Sequence, residues 1–403
     1  IPYCLLYCTC CSCTTLKYSP TCNINPIGEF NLIQQPQYTP TTPKYNFPLS
    51  TQALQIPQKF IEISLKTIKT PRQKTLQQPP KITFNNYSTE KLDDEDDDET
   101  KLFFPNHNRY TIQSIPLKPV KEETTIVAID VSSIKIGETN EGIICAIRGT
   151  VVWKEKSRYK YLRIGPFPLH ITEENKTEIY HLLRQQSLNM PTEPLTNSNL
   201  INMPMKLGNL LERWIKMEIS CTSQNNVILW DGSLTAETDG NTTNTIAQIL
   251  EIARNRLNMV LAFSKTTQIR LFGRQITDLN GRCKPPYLLQ INGLPTKTGP
   301  IYFLGNTYVA KLANSIWSFR LDVDKKIMPE QQIEAVQRLL GNDTLFYGYP
   351  ETLRLAHIYS TFTATEVIGI QRFITKQCKI EIMNRPNIRR ILFGTFGKGP
   401  EEG

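Results

Sequence analysis

Two apolar runs in this chain each end on a carboxylate. Val227-Ile228-Leu229-Trp230 leads into Asp231 and is turned by Gly232-Ser233-Leu234, and Thr125-Ile126-Val127-Ala128-Ile129 leads into Asp130, Val131, Ser132 and Ser133. Unbroken apolar runs closed by a turn residue predict buried strands that deliver both aspartates to one rim of a sheet. Open α/β sheets hold their ligands at the carboxyl ends of such strands. Clustered carboxylates are hard oxygen donors suited to Mn²⁺ or Mg²⁺, and a pair of such ions hydrolyses phosphodiesters. One strand-end aspartate alone is as well read as a turn cap. The pair favours a metal cleft.

The elements around the aspartates follow in a recognisable order. Gly142–Trp153 and Tyr159–Ile164, β-branched and aromatic and split by Lys154-Glu155-Lys156-Ser157, predict an antiparallel hairpin. Residues 171–186 and 206–222 have helical composition, and Leu207, Leu211, Trp214 and Glu218 fall on one face of the second. After the Asp231 strand, Thr243 to Phe263 reads as one long helix through Ile246, Ile249, Leu250, Ala253, Leu257 and Val260. Strand, hairpin, helices, strand, helix is the order of a ribonuclease-H-like α/β sheet, in which a right-handed crossover sets the fourth strand beside the first. That places Asp130 next to Asp231. The helix between them passes the same end of the sheet and can add a carboxylate.

Further strands are expected at 268–272, 300–304 and 316–323, a helix from Pro329 to Leu340 with Gly341 beyond its end, and an amphipathic segment at 364–377. The predicted class is therefore a ribonuclease-H-like mixed sheet with flanking helices and extra α/β elements, preceded by a mostly disordered N-terminal leader. The boundary falls between residues 1–117, the leader, and 118–403, the nuclease-like domain.

Within the leader, Cys4, Cys8, Cys10, Cys11, Cys13 and Cys22 crowd together. Zinc sites space their ligands, and adjacent Cys10-Cys11 fits that pattern poorly. Residues 23–89 are rich in Pro, Gln, Thr and Asn, with Phe60-Ile61-Glu62-Ile63-Ser64-Leu65 the main periodic stretch. Residues 90–99 are almost wholly acidic, yet the chain carries a formal +9. A basic remainder suits a polyanion such as nucleic acid, although charge alone also serves solubility. Cys145, Cys221, Cys283 and Cys378 read as unpaired thiols of a reducing, cytoplasmic compartment. No run approaches a membrane span, and no basic region followed by an apolar core marks a secretory signal.

The two aspartate strands, Ala146-Ile147-Arg148-Gly149, Asp231-Gly232-Ser233-Leu234 and Gly348-Tyr349-Pro350 with Ala356-His357 together resemble the NurA nucleases over residues 120–380. The resemblance implies a toroidal homodimer and a manganese-dependent nuclease acting on DNA ends and single strands in double-strand break end resection. It also implies a hexameric HerA-type ATPase as partner. By motif match Asp130 and Asp231 take the places of metal-binding aspartates, His357 that of the metal-ligand histidine and Tyr349 that of the active-site tyrosine. The helix-borne glutamate falls on Glu218, with Glu212 as the alternative. Two ions, Mn²⁺ or Mg²⁺, are expected.

Lys265, Arg148 and Arg320 are candidates for DNA phosphate, the two arginines because each interrupts an apolar run. His107, His170 and His181 have no motif context. Two other classes stay open. One is a non-catalytic, dimeric nucleic-acid-binding or scaffold protein of the same fold; the other is a phosphotransferase of this fold, against which stands the absence of a glycine-rich phosphate loop.

Overall fold

Ile126, Val127, Ala128 and Ile129 are all 0% exposed, as a strand covered on both faces requires. Their strand, β3 (Ile126–Glu138), is the axis of the computed structural model, which describes residues 6–10, 57–69, 110–188, 199–237, 241–271, 273–279, 281, 283–298 and 301–383. The acidic run and the side chains of the N-terminal cysteines lie outside the described residues.

Ten strands form one mixed sheet. They are β1 (Leu6–Cys10), β2 (Thr111–Pro116), β3, β4 (Gly142–Glu155), β5 (Arg158–Thr172), β6 (Val227–Asp231), β7 (Met259–Ser264), β8 (Tyr287–Asn292), β9 (Gly305–Lys311) and β10 (Phe319–Asp324). Their spatial order is β1-β5-β4-β3-β6-β7-β10-β9-β8-β2. β3, β4 and β5 form an antiparallel meander, and β6 then lies parallel to β3, with Ile129 opposite Trp230. This is the ribonuclease-H-like arrangement that the element order predicts.

The helices are α1 (Gln58–Lys69), α2 (Lys176–Leu188), α3 (Met203–Thr222), α4 (Asn241–Asn255), α5 (Pro329–Asn342), α6 (Glu351–Ser360) and α7 (Ala364–Gln377). Strand alternation sends side chains to opposite faces. Val127, Ile129, Ile228 and Trp230 pack with Leu207, Leu211, Ile215 and Ile219 of α3. Ile126, Ala128, Val227 and Leu229 pack with Leu339 of α5 and Leu353 and Ala356 of α6. None of the described helices is long and apolar enough to cross a membrane.

Three expectations are corrected. The single helix over Thr243–Phe263 is a helix and a strand: α4 ends at Asn255, Leu257 turns the chain at φ 59°, and β7 pairs parallel with β6. Val260-Leu261-Ala262-Phe263 is buried on both faces, and so short an apolar run fits helix and strand periods equally. Asp130 is not at a strand end, because antiparallel pairing with β4 carries β3 on to Glu138. Nor does the fold begin at residue 118. Phe60 and Ile63 of α1 are buried in the core, Ser64 Oγ donates to the Pro168 carbonyl at 2.6 Å, β1 pairs with β5 and β2 pairs with β8.

Gly341, expected just past α5, lies within it. A Cβ there would stand 1.8 Å from the Val120 carbonyl oxygen, so the chain entering β3 crosses the helix at van der Waals contact. In an exposed helix, glycine to alanine adds up to about 1 kcal/mol of stability. Here Gly341→Ala is expected to remove about 1–3 kcal/mol by overpacking against backbone, read as a lowered urea midpoint; an unchanged or raised midpoint would contradict this packing.

Candidate metal centre

Asp130 and Asp231 continue the strand faces that pack on α6, one residue beyond the last β3–β6 pair. β6 ends there because Gly232, at φ 102°, turns the chain and donates its N–H to the Phe263 carbonyl at 2.8 Å. Asp130 is buried and Asp231 half-buried. His357 faces them from α6, its Nδ1 3.3 Å from Asp130 Oδ2. Asp130, Asp231 and His357 each offer a ligand atom within 4.8 Å of the others. Two carboxylates and an imidazole form a mainly oxygen donor set that fits Mn²⁺ or Mg²⁺.

The surroundings answer the charge of the two acids. Ser360 Oγ donates to Asp130 Oδ2 and is itself 2.9 Å from Ser132 Oγ. Lys265, just past β7, places its Nζ 2.8 Å from Asp231 Oδ2, and the Tyr349 hydroxyl lies 3.5 Å from Asp231 Oδ1. The Tyr349 ring is fixed edge-on to Phe263 and tilted on Phe319. Burial pushes both carboxyls up. At Asp130 the hydrogen bonds from His357 and Ser360 and the nearby positive charge outweigh burial, so it stays below its ordinary range. At Asp231 burial prevails over the Lys265 charge, and the negative Asp130 adds to it, so the carboxyl lies above its ordinary range.

The packing of α3 sets Glu212 and Glu218 at different heights along the sheet. α3 runs antiparallel to β3: Gly208 rests on Ser133 and Val131, and Leu211 and Ile215 rest on Gly149. Lys216 lies over the Trp230 ring at 4.4 Å and pairs with Glu212 at 2.7 Å. Glu212 is therefore level with Asp231, where β6 has ended. Glu218 is about 9 Å further along the axis, toward the strands' starts, and neither glutamate is part of the three-residue cluster. The apolar face on which Glu218 was placed looks onto the sheet well away from the aspartates.

Arg148 and Arg320 do not face a ligand. Arg320 is 0% exposed and paired at 2.8 Å with Asp322, which also accepts from Leu234 N–H and Thr307. Arg148 is 2% exposed, bonds both Glu366 oxygens and stacks on Phe362 at 4.3 Å. An arginine interrupting an apolar run is thus satisfied inside, not presented to phosphate. Lys265 is half-exposed at the metal cleft itself. His170 is buried against Thr139.

Sequence reasoning overlooked Ser360 and Arg163. Ser360 follows His357 by three residues, which on a helix places both on one face; that spacing was the available signal. Arg163 donates to the Tyr359 carbonyl at 3.0 Å and to Glu366 at 2.8 Å, while Arg148 reaches the Thr361 carbonyl at 3.3 Å. Glu366 is also the N3 residue of the α7 capping box with Thr363. The two arginines and Glu366 thereby fasten the end of α6, and with it His357 and Ser360.

No family model matches the chain, and no curated protein does. Among solved structures it is similar to the NurA nuclease from Sulfolobus solfataricus, at 14% identity over 67% of this chain and 90% of that one, with a TM-score of 0.37. It is also similar to Endonuclease V from Bacillus subtilis, at 12% identity over 65% and 88%, with a TM-score of 0.31. The Argonaute of Marinitoga piezophila, in complex with a guide RNA, matches at 13% identity over 60% and 30%, with a TM-score of 0.28.

Burial raises the Glu366 carboxyl, but Arg148, the Thr363 N–H and Arg163 draw it down to about 2. Its stabilising effect is complete above its unfolded value of about 4.5 and is lost as pH falls through about 2. Wild type should exceed Glu366→Gln by about 2 kcal/mol at neutral pH, after discounting for solvent screening. Urea titrations from pH 7 to pH 2 should show the two proteins converge at the acid end; a constant gap would refute the ion cluster.

Proposed function

We propose that this protein is a divalent-metal-dependent phosphodiester hydrolase that acts on DNA. The observation that carries the reading is the meeting of Asp130, Asp231 and His357, 227 residues apart at the extremes of the motif, within 4.8 Å in a cleft at the strand ends. A bound divalent ion there would activate water and neutralise charge on the phosphate. Asp130 would hold it between the two strands, and Asp231 and His357 would complete the set, with Glu212 the carboxylate best placed to join from α3.

The remaining residues act on their own atoms. Ser360 holds Asp130 Oδ2, and through its contact with Ser132 it ties that carboxylate to β3. Tyr349 is positioned to hold a phosphate or the water beside Asp231. The Lys265 ammonium standing on Asp231 occupies a cation's place, and it would meet a phosphate if a metal took the carboxylate. From the resemblance come the finer parts of the proposal: manganese over magnesium, single strands and DNA ends as substrates, a homodimer, and end resection beside a HerA-type hexamer.

The same lysine supports a second reading. An ammonium 2.8 Å from Asp231 would suit an inert centre in a nucleic-acid-binding protein of this fold, with salt-sensitive binding and no cleavage.

End-labelled single- and double-stranded DNA, incubated with Mn²⁺, Mg²⁺ or EDTA, separates the two. Metal-dependent products are expected, abolished by EDTA and reduced by about a hundredfold or more in Asp130→Ala and Asp231→Ala; no product with any metal would overturn the nuclease reading, and salt-sensitive binding of the same DNA would then support the second. In the same assay Glu212→Gln should lose about tenfold or more while Glu218→Gln stays near wild type, and the reverse order would return the ligand to Glu218.

A further inference from the structure

One exposed surface is left unexplained by the metal centre. Ile316 is 84% exposed, Tyr347 62%, Trp317 58% and Phe346 52%, four large apolar side chains on two neighbouring loops. Ser315 Oγ donates to the Tyr347 carbonyl at 2.8 Å, which ties the loops together. Phe346 and Tyr347 sit edge to face at 4.7 Å. Scattered exposed apolar residues need no explanation, but a contiguous aromatic patch does.

Its position follows from strand register. Leu345–Phe346 and Tyr349–Pro350 form a hairpin, with Phe346 paired to Tyr349, so Tyr347 and Gly348 are its two-residue turn. Both have positive φ, 52° and 92°, the conformation of a type I′ turn, where asparagine or glycine is usual. A tyrosine there is held in a region that bulky side chains rarely occupy. Tyr349, two residues on, puts its hydroxyl on Asp231. On the other loop, Arg320 pairs with Ser264, so β10 runs back past Lys265 to Phe319 and Trp317. The patch and the metal cleft therefore share one rim of the sheet.

The two loops themselves carry no negative charge. Neither Ala313–Ser318 nor Thr344–Tyr349 contains a carboxylate. The Arg354 guanidinium lies 5.0 Å over the Phe346 ring, with Glu351 bonded to it, and Lys265, on Asp231 at 2.8 Å, follows the strand paired with β10. Flat aromatic faces beside cations suit a ligand with π-faces on an anionic backbone, and every nucleobase has such a face once it is unpaired.

We infer that Trp317, Phe346 and Tyr347 form a stacking platform for unpaired bases of a single strand entering the metal cleft. The platform rests on the nuclease reading and narrows its substrate to strands with unpaired nucleotides at the cleft. Stacking holds the bases while Lys265 meets the phosphate nearest the carboxylates. Strand choice then comes from access, since bases paired within a duplex have no face to offer.

The chain's four tryptophans make this directly measurable, because Trp153, Trp214 and Trp230 are buried and Trp317 is the exposed indole. The full chain in EDTA is titrated with a dT15 oligonucleotide and with a blunt duplex of equal length. Tryptophan emission should be quenched, and acrylamide access reduced, by dT15 and not by the duplex. Trp317→Ala should weaken dT15 binding by about tenfold, measured by anisotropy, whereas Trp317→Phe keeps most of the affinity. Equal affinity in wild type and Trp317→Ala, or binding without quenching, would overturn the platform. So would a loss of dimer mass by light scattering in Trp317→Ala, which would mark the patch as a contact with a second copy. If wild type still cleaves DNA with metal, such a result removes the platform alone; quenching by dT15 without cleavage under any metal removes the nuclease reading instead.

Discussion

Two carboxylates brought side by side in a half-dry cleft repel one another, and much of this structure is arranged around that repulsion. At the 4.8 Å that bounds the cluster, two full negative charges cost about 3 kcal/mol at an effective dielectric of about 20. The fold compensates locally. Asp130 is answered by His357 and Ser360, and Asp231 by Lys265. The result is a cluster whose three ligand atoms could hold a divalent ion.

The compensating groups need a rigid support. His357 and Ser360 belong to the last turns of a ten-residue helix, whose terminal carbonyls would otherwise lack partners. Arg163 and Arg148 supply donors to Tyr359 and Thr361, and Glu366 from the next helix neutralises both arginines. Tyr161 stacks on Tyr359 at 4.1 Å, adding an apolar contact to the polar one. The placement of His357 beside Asp130 thus depends on an ion cluster built from two strands and a separate helix.

On the opposite face of the sheet from α6, Arg320, Asp322 and Thr307 form a fully buried network. Its link to function is geometric: Asp322 accepts from the Leu234 N–H at 3.0 Å and so fixes the loop after Asp231. Charged residues inside the sheet here orient the chain around the site and leave the exposed rim to Lys265 and the aromatic patch.

Much of this was legible in the sequence. Apolar runs ending on Asp130 and Asp231 and the hairpin between them were enough to predict the sheet, its crossover and the two aspartates, because burial demands a local pattern, whereas His357 came from the family resemblance. The rest depended on contacts between distant segments. The chain alone could not split Thr243–Phe263 into α4 and β7, since a short apolar run satisfies either period until a neighbouring strand claims it. It could not tell how far along α3 Glu212 and Glu218 stand from the aspartates, nor that Arg148 and Arg320 turn inward to acids 218 and two residues away. Composition fixed which residues must be buried; only the tertiary structure decided which charges they would meet there.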